Sequence, residues 1–88
     1  LEPDNPVFRL RHGRVLSLCG RYEKASDVLS QCFRLRSIRA EAWLEAAENS
    51  YRCGDGKAGS RFAKKVIDGK KIPEKLKSQA KDLLHKNG

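Results

Sequence analysis

Apolar and small residues recur every three or four positions between Ala40 and Asp68, which is the spacing of one face of an α-helix. The first half of this segment contains Ala42, Trp43, Leu44, Ala46, Ala47, Ser50 and Tyr51. Gly54 and Gly56 interrupt the pattern around Asp55, and it resumes with Ala58, Gly59, Phe62, Ala63, Val66 and Ile67. Because isolated helices this short are marginal in water, we expect the two helices to pack on each other and on similar neighbours.

The pattern repeats along the chain with a period of 34 residues. A shift of this length superposes Leu10 on Leu44, Cys19 on Cys53, Gly20 on Gly54, Ser26 on Ser60, Ile38 on Ile72, Ala46 on Ala80 and Gly54 on Gly88. The three glycines at one phase each end a helical stretch, where a left-handed backbone costs glycine least. The period therefore predicts copies of one helical hairpin.

The same spacing predicts three more helices outside the central hairpin. They run from Pro6 to about Leu18, from Tyr22 to Arg36, and from Pro73 to about His85. No segment has the alternating pattern of a strand, so we predict an all-α chain of about five helices. It divides into a repeat at about 6–39, a second at about 40–73 and a more polar capping helix at about 73–86, all within one domain spanning 1–88.

The period and several of its residues resemble the tetratricopeptide repeat, a helix-turn-helix unit of 34 residues. Trp43 stands at the tryptophan position of that motif, and Gly13, Ala25 and Gly59 stand at positions that are usually small. Arg9 replaces the tryptophan in the first repeat, and Ser37 and Lys71 stand where the motif has proline. The resemblance implies a solenoid of stacked antiparallel hairpins.

In that family the first helices of successive hairpins line a concave groove that holds a helix or peptide of a partner protein. Carried onto this chain, the resemblance implies a groove formed by Val7, Leu10, Arg14, Ser17, Glu41, Leu44, Glu48 and Tyr51. An amphipathic partner helix would place its anchors on Leu10, Leu44 and Tyr51. Small bacterial co-chaperones of secretion-needle subunits, which belong to this family, are loosely similar to the chain.

Charge leaves two classes of partner open. The chain has 19 Lys and Arg against 11 Asp and Glu, a net charge of +8, which suits an acidic protein partner but also RNA. The related pentatricopeptide repeat reads single-stranded RNA, one base per repeat. Most of the aromatic residues lie at packing positions, and two hairpins would contact only about two bases. We therefore favour a protein-binding scaffold or co-chaperone and keep RNA binding as the alternative.

The sequence contains no recognisable catalytic or metal-binding pattern. The only histidines, His12 and His85, stand without the nucleophile or paired carboxylates of a hydrolytic site, and Gly54-Asp55-Gly56 lacks the lysine of a phosphate loop. We therefore predict a protein that is not an enzyme and takes no cofactor.

Three cysteines, without a C-x2-C pair, predict neither a disulfide framework nor a zinc site. We expect Cys19, Cys32 and Cys53 to be small buried residues. No segment is apolar enough to span a membrane, and no signal peptide opens the chain, so a cytoplasmic location is expected. A start at Leu1 instead of methionine is compatible with a fragment of a longer repeat protein.

Overall fold

The computed structural model describes residues 5–87 and contains five helices. They are α1 (Pro6–Leu18), α2 (Tyr22–Cys32), α3 (Arg39–Arg52), α4 (Gly56–Asp68) and α5 (Glu74–Asn87). No strand occurs within residues 5–87, so the predicted all-α class with five helices is confirmed there. Gly88 and the leader residues before Asn5 lie outside the described range.

Helix α3 lies at the centre of the molecule and contacts all four other helices. α2 packs against α1 and α3, and α4 packs against α3 and α5, so consecutive helices are neighbours throughout. α1 and α5 flank α3 on opposite sides, because each contacts α3 while they make no contact with each other within the described residues. The Cα atoms span 36 × 30 × 17 Å, so the molecule is a slab about two helices thick.

Two helices end in the same hydrogen-bonded motif, 34 residues apart. After α1, the N–H of Gly20 donates to the Ser17 carbonyl (3.1 Å) and the N–H of Arg21 donates to the Leu16 carbonyl (2.9 Å). The corresponding bonds after α3 join Gly54 to Tyr51 and Asp55 to Ser50. This is the Schellman arrangement, and its central glycine has a positive φ in both copies, 83° and 88°.

Side-chain caps start α1 and α4. Oδ1 of Asn5 accepts from the N–H of Val7 at 2.9 Å, and Pro6 occupies the first helical position, where its missing N–H is not needed. Oδ1 of Asp55 accepts from the N–H of Ala58 at 3.1 Å. Asp55 therefore ends one motif and begins the next helix, which keeps the turn short.

Helix α2 ends at Cys32, four residues before the predicted end at Arg36. Beyond it the chain turns, with the N–H of Leu35 donating to the Cys32 carbonyl and that of Ile38 donating to the Leu35 carbonyl. Phe33 and Leu35 both pack on the core. Residues two apart point to different sides of a helix, so a continued helix could not bury both side chains.

The core consists of two clusters that share α3. The first cluster joins α1, α2 and α3 and contains Leu10, Leu29, Cys32, Ile38, Ala42 and Ala46. The second joins α3, α4 and α5 and contains Leu44, Ala47, Ala63, Val66 and Ala80, with half-buried Trp43 packed against it. Phe62 touches both clusters, and its ring lies 5.6 Å from that of Phe33.

Glycines let the helices of each hairpin approach closely. A Cβ at Gly13 would lie 2.6 Å from Cδ2 of Leu29, and one at Gly59 would lie 2.8 Å from the ring of Tyr51. Real Cβ atoms essentially never show contacts this short, so a residue larger than glycine at either position would displace the side chain of Leu29 or Tyr51.

The cysteines differ from the expectation of three buried residues. Cys32 is buried, but Cys19 and Cys53 are exposed. Both exposed cysteines are the C-cap residues that precede the positive-φ glycines, where the helix has ended and its buried face no longer continues. Burial raises the pKa of the Cys32 thiol, and the nearby Arg9 opposes this shift.

Candidate functional site

An open groove of about 580 Å³ lies between α1, α3 and the start of α5. It brings together five of the eight residues implied by the family resemblance, namely Leu10, Arg14, Glu41, Leu44 and Glu48. Further lining residues, which the sequence analysis did not assign to the groove, are Glu45, Pro73, Lys75, Leu76 and Gln79. Residues that are distant in sequence thus share one surface.

The floor of the groove belongs to the core. Leu10 and Leu44 each keep 8% of their surface exposed, and they come from the first and the second apolar cluster respectively. Leu76 lies half-buried beside them. These side chains therefore offer narrow apolar contacts to a ligand and also support the packing of the helices.

Carboxylates distinguish the groove from the rest of this basic chain. Glu41, Glu45 and Glu48 are spaced by four and three residues, so they follow one face of α3. Oε2 of Glu45 lies 3.6 Å from Nη1 of Arg14, which reaches across from α1. The Glu45 side chain is 13% exposed and that of Arg14 is 59% exposed, so the anion is the more deeply held member of the pair.

Burial, a hydrogen bond with Glu48 and the negative charge of Glu48, in this order of importance, raise the pKa of Glu45 to about 7. The positive charges of Arg14 and Arg52 oppose the shift without cancelling it. Glu45 therefore keeps its proton up to about neutral pH, and a cation of a ligand bound beside it would favour release of that proton.

The other three residues implied by the resemblance lie apart from the groove lining. Val7 is exposed on α1, with 43% of its surface accessible. Ser17 is buried between α1 and α3, and its Oγ accepts from Nη1 of Arg52 at 2.8 Å. Tyr51 turns toward α4, where its ring packs on Gly59 and its hydroxyl lies 3.0 Å from Oγ of Ser60.

One of the missed residues carried a signal in the period itself. Lys75 stands 34 residues after Glu41, on the first helix of what would be a third repeat, so extending the groove positions by one more period would have named it. Gln79 stands 34 residues after Glu45, which was itself not among the predicted positions.

A second cavity, of about 490 Å³, lies at one end of the slab between the α2–α3 and α4–α5 connections. Its basic lining residues are Arg36, Arg39, Lys70 and Lys71, and half-buried Trp43 lies beside them. Nε of Arg39 donates to the Phe33 carbonyl. Lys71 has a φ of 62°, a left-handed conformation that is uncommon outside glycine.

Within residues 5–87, no group of three or more His, Cys, Asp and Glu side chains is arranged to hold a metal ion. None of the helices described for this chain combines the length and the apolar content needed to cross a bilayer. Comparison with protein-family models, with curated proteins and with solved structures gave no match.

Proposed function

We propose that this protein is a non-enzymatic interaction module, a scaffold or co-chaperone built from stacked helical hairpins in the manner of tetratricopeptide repeats, and that its groove holds a segment of a partner protein. The observation that supports this most is the convergence of Leu10, Leu44 and Leu76 from three helices on one open groove. The repeated helix-end motif and the flanking of α3 by α1 and α5 support the stacked arrangement.

The charges around the groove favour a partner with basic side chains. Three carboxylates, Glu41, Glu45 and Glu48, face two cations, and one of those cations, Arg14, is already paired with Glu45. A lysine or arginine of the partner would be attracted to this stripe, whereas an acidic segment would be repelled by it. An amphipathic helix with one basic edge and leucine-sized anchors fits best.

The test uses two labelled peptides of about 18 residues with leucines at i, i+3, i+4 and i+7. Their flanking positions carry lysine in one (the lysine peptide) and glutamate in the other (the glutamate peptide). Changing Glu41 and Glu48 to lysine should weaken binding of the lysine peptide at least about tenfold, because two carboxylates near the groove are replaced by cations. Fluorescence anisotropy measures the affinities.

The matched control places the same change of charge on α2. Glu23 and Asp27 are exposed there, and their replacement by lysine should leave the affinity within about twofold. Equal losses in the two variants would show an unlocalised charge effect, and the groove would then not be the binding site.

RNA binding is the second candidate function, and the cavity at the end of the slab favours it. Arg36, Arg39, Lys70 and Lys71 line this cavity together with Trp43 and one carboxylate, Glu41, so groups for phosphate contacts and one stacking surface lie together. Against this, the ring of Trp43 packs on the second core cluster, and Nζ of Lys65 lies 5.6 Å from its centre.

An RNA titration decides between the candidates. Affinity for a short polyuridine should fall linearly with the logarithm of salt concentration if phosphates are bound. Replacing Lys70 and Lys71 with glutamate should abolish that binding, while the same change at Lys81 and Lys86, exposed on α5, should weaken it only slightly. Similar losses in both variants would reject the cavity as an RNA site.

A further inference from the structure

The exposed large apolar side chains within residues 5–87 all lie on one helix. Val7, Phe8, Val15 and Leu18 are 43%, 38%, 55% and 59% exposed, and all four belong to α1. Their spacing places them on a single stripe that also includes Arg11, and we call these five residues the α1 face. The groove does not use them, since it is lined on this helix by Leu10 and Arg14.

The corresponding surface of α3 is covered by the preceding hairpin. Residues 34 positions after Phe8, Arg11, Val15 and Leu18 are Ala42, Glu45, Asn49 and Arg52. Ala42 is fully buried, and Nδ2 of Asn49 donates to the Tyr22 carbonyl on α2 at 3.1 Å. Glu45 pairs with Arg14 on α1, and Arg52 donates to Ser17 on the same helix.

The corresponding surface of α5 is covered in the same way. Leu76 and Leu83 stand 34 residues after Ala42 and Asn49, and both pack on the core cluster that α5 shares with α3 and α4. The molecule thus contains two examples of this helix surface packed against a neighbouring hairpin. The α1 face is a third copy, and it alone has apolar residues at both of the positions of Val15 and Leu18, where α3 has Asn49 and Arg52 and α5 has Leu83 and Lys86.

Charge defines what can cover this third copy. Helix α1 carries three arginines and one histidine and has no carboxylate along its length. Arg11 occupies the position of Glu45, whose partner across the helix contact is Arg14. In the contact between the hairpins, the carboxylate belongs to α3 and the cation, Arg14, belongs to the hairpin that covers it. At the α1 face the covered helix carries the cation, Arg11. The covering helix therefore needs a carboxylate at the position that Arg14 occupies in the first hairpin.

The free side of α5 in a second copy of this chain meets the charge requirement, because Asp82 stands 68 residues after Arg14. It does not meet the apolar requirement. Ser78 stands at the position of Leu10 and His85 at that of Ser17, both exposed, so this side of α5 offers no leucine to the α1 face. Two chains of net charge +8 would also repel each other.

We propose that the α1 face is a docking site for an amphipathic helix of another protein, with apolar side chains against Phe8, Val15 and Leu18 and a carboxylate opposite Arg11. Helix α1 is about 20 Å long, so about 13 residues of the partner helix would contact it. This surface is separate from the groove, and it selects acidic partners where the groove selects basic ones.

The test uses the glutamate peptide and its lysine counterpart on the whole chain, with circular dichroism to verify folding of each variant. The wild type should bind the glutamate peptide, and changing Val15 and Leu18 to serine should weaken this binding at least about tenfold, because the central apolar contacts are lost. Changing Arg11 to glutamate should reverse the charge preference at the α1 face, so that the lysine peptide now protects Val15 and Leu18 amides from hydrogen exchange. The groove variant with Glu48→Lys should bind the glutamate peptide at least as well as the wild type.

Each alternative outcome overturns the proposal. If the glutamate peptide does not bind, or if Arg11→Glu leaves its affinity unchanged, the α1 face has no acidic helical ligand. Sedimentation that shows a dimer in the wild type and a monomer after Val15→Ser and Leu18→Ser would assign the surface to self-association. Loss of polyuridine binding in Arg11→Glu, with no effect of the two serine substitutions on any ligand, would assign it to nucleic acid.

Discussion

At the scale of single residues, each hairpin has one contact between a glycine and a large side chain, and the other hairpin has two small residues at the equivalent positions. Gly59 faces Tyr51, and the residues 34 positions earlier are Ala25 and Ser17. In the opposite sense, Gly13 faces Leu29, whereas the equivalent positions of the second hairpin are both alanine, Ala47 and Ala63. Each glycine thus accommodates one large neighbour, and the distance between the helices stays short in both hairpins.

The effect of Gly59→Ala on the free energy of unfolding should change sign when Tyr51 is replaced by a small residue. Gly59→Ala gains about 1 kcal/mol of helix propensity but drives its Cβ into the Tyr51 ring, so we expect a net loss of about 1 to 2 kcal/mol. In a Tyr51→Ser background, which reproduces the pair of the first hairpin, the same substitution should stabilise the protein by up to about 1 kcal/mol. Urea unfolding of the four proteins measures both effects, and equal effects of Gly59→Ala in the two backgrounds would contradict the contact.

Glu45 should make stability depend on pH. Its pKa is about 7 in the folded chain and about 4.3 when unfolded, so its contribution is full below about pH 4.3 and is lost as the pH rises through 7. Relative to Glu45→Gln, which cannot titrate, the wild type should lose about 1 to 2 kcal/mol between pH 4.5 and 7.5, a figure reduced because solvent still reaches the pair.

The measurement is the urea midpoint of both proteins across that range. Glu41→Gln, on the exposed part of the same helix face, provides the control and should keep a pH profile close to that of the wild type. A constant difference between wild type and Glu45→Gln at all pH values would mean that Glu45 does not hold a proton in the fold.

At the scale of helices, the two Schellman motifs identify which glycines matter for the turns. Gly20→Ala and Gly54→Ala place a Cβ on a left-handed residue, so each should cost about 1 to 2 kcal/mol even though nothing lies within 4 Å of the added atom. Gly56→Ala is the control, because it also meets nothing within 4 Å and its φ is not positive. It should be neutral or slightly stabilising in thermal unfolding.

Helix periodicity and glycine spacing were enough to predict the number and class of the elements, because both depend on local patterns. The end of α2 could not be obtained this way, since Phe33 and Leu35 leave the helix to reach a core formed by distant residues. The exposure of Cys19 and Cys53 was also missed, because each lies one residue beyond the end of its helix, where helical spacing no longer describes which residues are buried.

Groove positions were predictable only in part. Leu10, Arg14, Glu41, Leu44 and Glu48 follow from their phase in the repeat. Tyr51 shares that phase, but its ring packs against Gly59 of α4 and its hydroxyl contacts Ser60 on the same helix, so it points away from the groove. The raised pKa of Glu45 depends on its burial between two helices, which cannot be inferred from the spacing of residues along the chain.

At the scale of the whole molecule, both core clusters contain residues of α3, so we expect them to unfold cooperatively. Ala42 and Ala46 belong to the first cluster, while Leu44 and Ala47 belong to the second, so opposite sides of one helix serve both. Phe62 adds a side-chain contact between them. Melting of either cluster exposes apolar surface of the shared helix, and the free energy of unfolding should therefore not divide between the hairpins.

Trp43, the only tryptophan, makes this cooperativity measurable because it reports on the second cluster alone. Leu29 is fully buried in the first cluster, and Leu29→Val should destabilise the chain by about 1 kcal/mol through the lost methylene. If the clusters unfold together, the urea midpoint from Trp43 fluorescence should shift as far as the midpoint from far-ultraviolet circular dichroism. A substitution at the surface of α2, Lys24→Ala, should move neither by more than about 0.5 kcal/mol. A Trp43 midpoint that stays in place while the circular dichroism transition broadens would show that the first hairpin melts alone, as in a repeat array whose units are joined only by nearest-neighbour contacts.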